Sequence, residues 1–158
     1  MKHQTILFAA LSMLAFQASW ANPVTVSKAW IRPTVPGQSV AGAYLDITAK
    51  QSARLVAASS PISPDVQIHW MQMDGDVMRM REVSAIDLPK NTTVSLKPGG
   101  YHLMLTQLKK PILPGETVPL TLVIETQRKR QTVKVNVLAQ SQPTEGSHDA
   151  HDHAHKHH

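Results

Sequence analysis

The chain has 158 residues, a formal charge of +5, no cysteine and an aromatic content of only 4%. That length suits one domain with a real core and falls short of two. Without thiols the chain has no disulfides and no blue-copper or Cu(A) electron-transfer centre. Its dispersed basic residues also lack the aromatic interleaving of a nucleic-acid surface.

Residues 1–21 read as a secretory signal peptide. Lys2 supplies the positive start, residues 6–16 (ILFAALSMLAF) the apolar run, and Ser19-Trp20-Ala21 a small-x-small cleavage site. The run is shorter than the roughly 20 apolar residues of a membrane-spanning helix. Cleavage is therefore expected to release a mature chain from Asn22 into the periplasm, with no stable membrane insertion. An uncleaved N-terminal anchor is the alternative, and no Cys follows Ala21 to carry a lipid.

The body, residues 22–138, reads as β throughout. Residues 25–32 and 41–48 are rich in β-branched and aromatic types and are bounded by Pro33, Pro36 and Gly37. Residues 54–59 form the next strand. Residues 66–73 and 77–83 then flank Asp74-Gly75-Asp76, a hairpin signal because Gly supplies a positive φ. Strands are further predicted at 92–97 and 101–105, separated by Pro98-Gly99-Gly100, and at 117–125 and 131–138 around the basic turn Arg128-Lys129-Arg130. Pro119 has no N–H to donate and should mark an edge position or the first part of its strand. Short strands with turn signals between them imply an all-β sandwich or small barrel.

Beyond this body, residues 139–158 form a polar tail whose last eleven residues include His148, His151, His153, His155, His157 and His158. The tail has too little apolar surface to offset its ordering entropy and is expected to be disordered without metal. Its His-x-His and Asp-x-His patterns suit copper(II), nickel or zinc. A purification tag or a generic metal-sticky tail is the competing explanation.

The soft side chains of the body cluster. His69, Met71 and Met73 share one face of their predicted strand, as do Met78 and Met80, and His102 and Met104. Val66, Ile68 and Trp70 alternate with the first set, and Tyr101, Leu103 and Leu105 with the last. If these apolar residues face the core, the His and Met residues face outward at one end of the sandwich. A methionine that only fills gaps belongs on the apolar side. Imidazoles with thioethers and no thiolate favour copper(I). No His3 or His2Glu spacing for catalytic zinc and no nucleophile set is readable, so no enzyme is expected.

The stretch from 69 to 104 resembles the periplasmic PCu(A)C copper chaperones. Their signature is a His, ten residues, a Met, twenty-one residues, then His-x-Met. His69, Met80 and His102-Leu103-Met104 follow that spacing. Residues 75–81 (GDVMRMR), 97–104 (KPGGYHLM), 108–111 (LKKP) and 115–122 (GETVPLTL) look like the family's flanking words. The resemblance implies a cupredoxin-like Greek-key sandwich that holds copper(I) on His69, Met80, His102 and Met104. It leaves Met71, Met73 and Met78 as an outer thioether shell or entry path. It further implies delivery to the Cu(A) subunit of cytochrome c oxidase or a thioredoxin-like assembly factor. Copper sequestration without delivery is the alternative. Trp70 departs from many relatives, which have an acidic residue there, and is expected to pack in the core.

Overall fold

The computed structural model describes residues 23–127 and 129–142. The expected leader and the histidines of the tail lie outside the described residues. Ten strands build the body: β1 (Val24–Ile31), β2 (Ala41–Ala49), β3 (Ala53–Ser59), β4 (Asp65–Asp74), β5 (Val77–Glu82), β6 (Ile86–Leu88), β7 (Thr93–Leu96), β8 (Tyr101–Thr106), β9 (Thr117–Glu125) and β10 (Arg130–Ala139). The described residues contain no helix.

The strands form one sheet in the order β5-β4-β8-β2-β1-β10-β9-β3-β6, with β7 joining β2 along the edge that β8 also uses. Every pairing is antiparallel except β1 with β10, where Trp30 lies beside Leu138. The end strands β5 and β6 do not pair with each other, so the sheet is open and not a closed barrel. It folds over on itself: β3 approaches β4, and β2 approaches β6, without hydrogen-bonded pairing. One core fills the fold, built from Leu45 and Ile47 of β2, Leu55 of β3, Ile68 of β4, Leu103 and Leu105 of β8, and Leu120, Leu122 and Ile124 of β9. Period-two alternation puts these residues on one side of their strands and polar residues on the other.

Local chemistry sets the corners. Asp74 pairs with Val77, so the β4–β5 loop is Gly75-Asp76, with φ +63° at Gly75. Glycine adopts that conformation without steric cost, and a glycine first in a two-residue loop matches the twist of a hairpin. Pro119 is the third residue of β9. It pairs with Asn136 of β10, while the ladder with β3 begins only at Thr121, so its missing N–H disrupts no bond on that side. The strand β6 has no counterpart among the strands predicted from sequence. Three residues are too few to show a period, although Ile86 and Leu88 are both buried.

A β-bulge in β1 re-aims the second half of that strand. Ser27 pairs with Asp46 and Trp30 with Tyr44, so Lys28 and Ala29 together oppose Leu45 alone. Lys28 takes the left-handed conformation, φ +49°. The extra residue shifts the phase of the strand. Val24 and Val26 alternate toward the core before it. After it, Ile31 faces the core and Trp30 joins Tyr44 on the opposite face.

Candidate metal centre

Paired residues in a sheet point to the same side, so register alone places a row of side chains across five neighbouring strands. Glu82 of β5 lies opposite His69 of β4, which lies opposite His102 of β8. The row continues through Tyr44 of β2 to Trp30 of β1, which are themselves paired. The rings are in sequence: His69 and His102 are edge to face with centroids 5.5 Å apart, Tyr44 is 6.2 Å from His102, and Trp30 stacks on Tyr44 at 4.4 Å. Beside this row, Met71 pairs with Met80, and Met73 with Met78. On the other side Met104 lies opposite Gln67 of β4 and Gly42 of β2.

This is the face turned away from the core, as alternation predicts, yet at its centre it is closed to water. His69 is 9% exposed and His102 only 3%, less than the half-buried Tyr101 on the core side of the same strand. Facing outward is therefore not the same as being exposed. Tyr44 and Trp30, at 8% and 6%, are buried on this face as well. A Cβ on Gly42 would fall 2.7 Å from the Tyr44 hydroxyl, so the glycine leaves the space that this ring occupies.

Hydrogen bonding defines the state of each imidazole. The Gly100 carbonyl, 3.1 Å from His102 Nδ1, can only accept, so Nδ1 carries the proton. Burial holds the His102 pKa below its ordinary value of 6.5, and the neighbouring His69 lowers it further, against the opposing effect of the Gly100 bond. The ring is neutral at neutral pH, and Nε2 is left with a lone pair. That lone pair meets the Met80 sulfur at 3.2 Å. Neither atom then has a proton to share, so the contact joins two electron-pair donors. Close by, the Nδ1 of His69 is buried and has no hydrogen-bond partner, while its Nε2 lies 2.9 Å from Gln67 Oε1. An orphaned buried nitrogen costs free energy unless something occupies its lone pair. Two imidazoles and a thioether gathered in this way fit a soft monovalent cation.

The other candidates grade outward. Met71 and Met104 are half-buried, Met80 is 49% exposed, and Met78 and Met73 are 51% and 56% exposed toward the hairpin tip. Trp70, expected in the core, lies on the core side but beyond the buried cluster. It is half-buried, with its ring centroid 4.3 Å from that of Tyr101. Among the described residues no group of three or more His, Cys, Asp or Glu side chains is arranged to hold a metal ion. A groove of about 480 Å³ is lined by residues including Arg54, Asp87 and Gln127 and shares none with the His/Met face. Sequence reasoning missed Gln67, Tyr44 and Trp30 as parts of this site. The only available signal was that Gln67 and Tyr44 stand on the polar phase of their strands.

Comparison with known proteins places this geometry in context. The family described as lipoprotein LpqE-like matches residues 24–137. The chain is 33% identical over 103 residues to a protein of Leifsonia xyli subsp. xyli (strain CTCB07) named as lipoprotein Lxx21020. That match covers 65% of this chain and 62% of the relative, so the chain spans less than two thirds of the relative's length. Among solved structures, the apo PCuAC domain from PmoF1 superposes with a TM-score of 0.63 at 24% identity, covering 76% of this chain and 95% of that domain. The copper(I) form of DR1885 from Deinococcus radiodurans gives a TM-score of 0.58 at 28% identity, covering 78% of this chain and 83% of that one.

Proposed function

The chain belongs to the LpqE-like family and has the PCuAC type of domain, and from that premise we propose that it is an exported copper(I) chaperone. Its ligands are His69, Met80, His102 and Met104. What supports this reading most is the approach of the His102 Nε2 lone pair to the Met80 sulfur at 3.2 Å, beside the unpartnered Nδ1 of His69. The related DR1885 structure with copper(I) supports the choice of metal, and the lipoprotein names of the family and of the Leifsonia relative support export.

The chemistry follows from the donors. Thioethers are neutral and soft, so they stabilise copper(I) without the near-irreversible hold of a thiolate cage, and they disfavour copper(II). Met80 is half exposed on the terminal strand, so an acceptor's Cys or Met sulfur can enter as the Met80 sulfur leaves. Met71, Met73 and Met78 form an outer thioether path on the hairpin. The tail histidines, outside the described residues, add a copper(II) site. The acceptor is the Cu(A) subunit of cytochrome c oxidase or a thioredoxin-like assembly factor.

Copper(I) titration against a competing chelator tests the ligand set, with X-ray absorption to count sulfur and nitrogen neighbours. Two nitrogens and two sulfurs are expected, and Met104→Ala should retain copper(I) less well. Unchanged retention removes Met104 from the site. Truncation after Gln142 should abolish copper(II) binding and leave copper(I) binding intact. Loss of oxidase activity at scarce copper on deletion marks delivery, whereas loss of survival at excess copper marks sequestration.

A further inference from the structure

A chain of side-chain hydrogen bonds runs along the His/Met face beside the two histidines. Asp65, Gln67 and His69 stand at alternate positions of β4 and so share a face. Gln67 Nε2 donates to Asp65 Oδ2 at 2.8 Å, and Gln67 Oε1 lies 2.9 Å from His69 Nε2. Thr106 of β8 donates its hydroxyl hydrogen to Asp65, with its oxygen 3.2 Å from the backbone carbonyl and 3.3 Å from Oδ2. We propose that Gln67, oriented by Asp65, is a positioning residue that fixes His69 in the tautomer protonated at Nε2, so that Nδ1 is the nitrogen offered to copper(I).

Donor and acceptor capacity decides the tautomer. The Asp65 carboxylate can only accept, so the Gln67 amide must turn its NH2 toward it. That leaves the amide oxygen facing His69, and an amide oxygen also only accepts. The proton must therefore sit on His69 Nε2, which leaves Nδ1 bare. That atom is also the buried one with no partner. His102 has the opposite tautomer, fixed by the backbone carbonyl of Gly100. One histidine is thus set by main chain, which no substitution of a side chain removes. The other is set by a side-chain relay that a single substitution can break. Partners of this kind orient a ligating ring and raise its basicity, and losing one commonly lowers metal affinity by roughly 10- to 100-fold.

The role of Gln67 rests on the proposed copper(I) function, so its test has a readout that needs no metal. Nitrogen-15 histidine spectra of the metal-free protein, recorded above the histidine titration range, report which ring nitrogen of His69 carries the proton. The expected result is Nε2–H in the wild type and in Gln67→Glu, which keeps an acceptor. Gln67→Leu should give a mixture or Nδ1–H, with copper(I) affinity lowered by roughly 10- to 100-fold. Should Gln67→Leu not fold, Asp65→Asn carries the test, because an amide there can donate and lets the Gln67 amide turn over. Protonation of His69 on Nδ1 in the wild type, or an unchanged tautomer in the folded Leu and Asn variants, overturns the proposal. A tautomer shift with unchanged copper(I) affinity upholds the relay and overturns His69 as a ligand.

Discussion

The β9–β10 hairpin and the β4–β5 hairpin are both antiparallel pairs, and they differ in what their alternate residues do. In β9, Val118, Leu120, Leu122 and Ile124 are all buried, and the far end is tied by Glu125 to Arg54 and Arg130. Glu125 has its pKa lowered by those two bonds, Arg130 first. In β5 all six residues are exposed, and the side chains on the His face are Met78, Met80 and Glu82. The first hairpin lines the core along both strands, whereas the second gives the buried cluster only Ile68 and carries His69 with four methionines. On the proposed ligand set, stability and copper chemistry then rest largely on different strands.

The strongest way to break that separation is to damage the core alone. Leu122→Ala, at a fully buried position of β9, should lower unfolding free energy by roughly 2–5 kcal/mol. Urea unfolding measures the loss, and the protein that remains folded should bind copper(I) as the wild type does. Weaker binding by that folded fraction would show that the two regions are coupled. Gly42→Ala lies between the regions, since its methyl group meets the Tyr44 hydroxyl. Overpacking of this kind costs about 1–3 kcal/mol. Because Tyr44 neighbours His102, copper(I) affinity should fall with it in competition titration.

Acidification acts on the site side. The folded-state pKa of His102 lies below the ordinary histidine value of 6.5. As pH falls through 6.5 the unfolded chain takes up a proton that the folded one resists, so the unfolded state gains. Stability of the metal-free protein should be full above 6.5 and should decline as pH falls below it, and His102→Gln should flatten that slope in melts across the range. The smallest effect on stability should come from Met80→Ala, within about 0.5 kcal/mol as at most exposed positions. That same variant should lose copper(I) affinity, which is the sharpest form of the comparison.

Nine of the ten strands, the Gly75 turn and the face shared by His69 and His102 were legible in the sequence because they rest on local rules: period two, positive φ at glycine, fixed φ at proline. What was not legible depends on tertiary context. Trp30 reads as one more apolar residue of its strand until the bulge at Lys28 shows which side it takes. The burial of His102 follows from Tyr44 on the neighbouring strand β2, and nothing in its own strand announces it. Gln67 resembles any polar residue on a solvated phase, and its role emerges only when Asp65 and His69 are seen on either side of it. Trp70 failed as a core residue for a related reason. Its phase is right, but the sheet extends past the core at that point.

The terminal strand β5 is bonded along one edge only and has no buried side chain beneath it. Native sheets open most readily where a strand has few such ties, so amide exchange in β5 should be among the fastest of any strand, while β9 should exchange only on global unfolding. Met80 sits on that strand. Fraying of that one hairpin arm carries Met80 away and leaves His69 and His102 anchored on β4 and β8. On the proposed ligand set, the dwell time of bound copper(I) follows the rate of that local opening, which the Gly75-Asp76 turn can tune without altering a single donor atom.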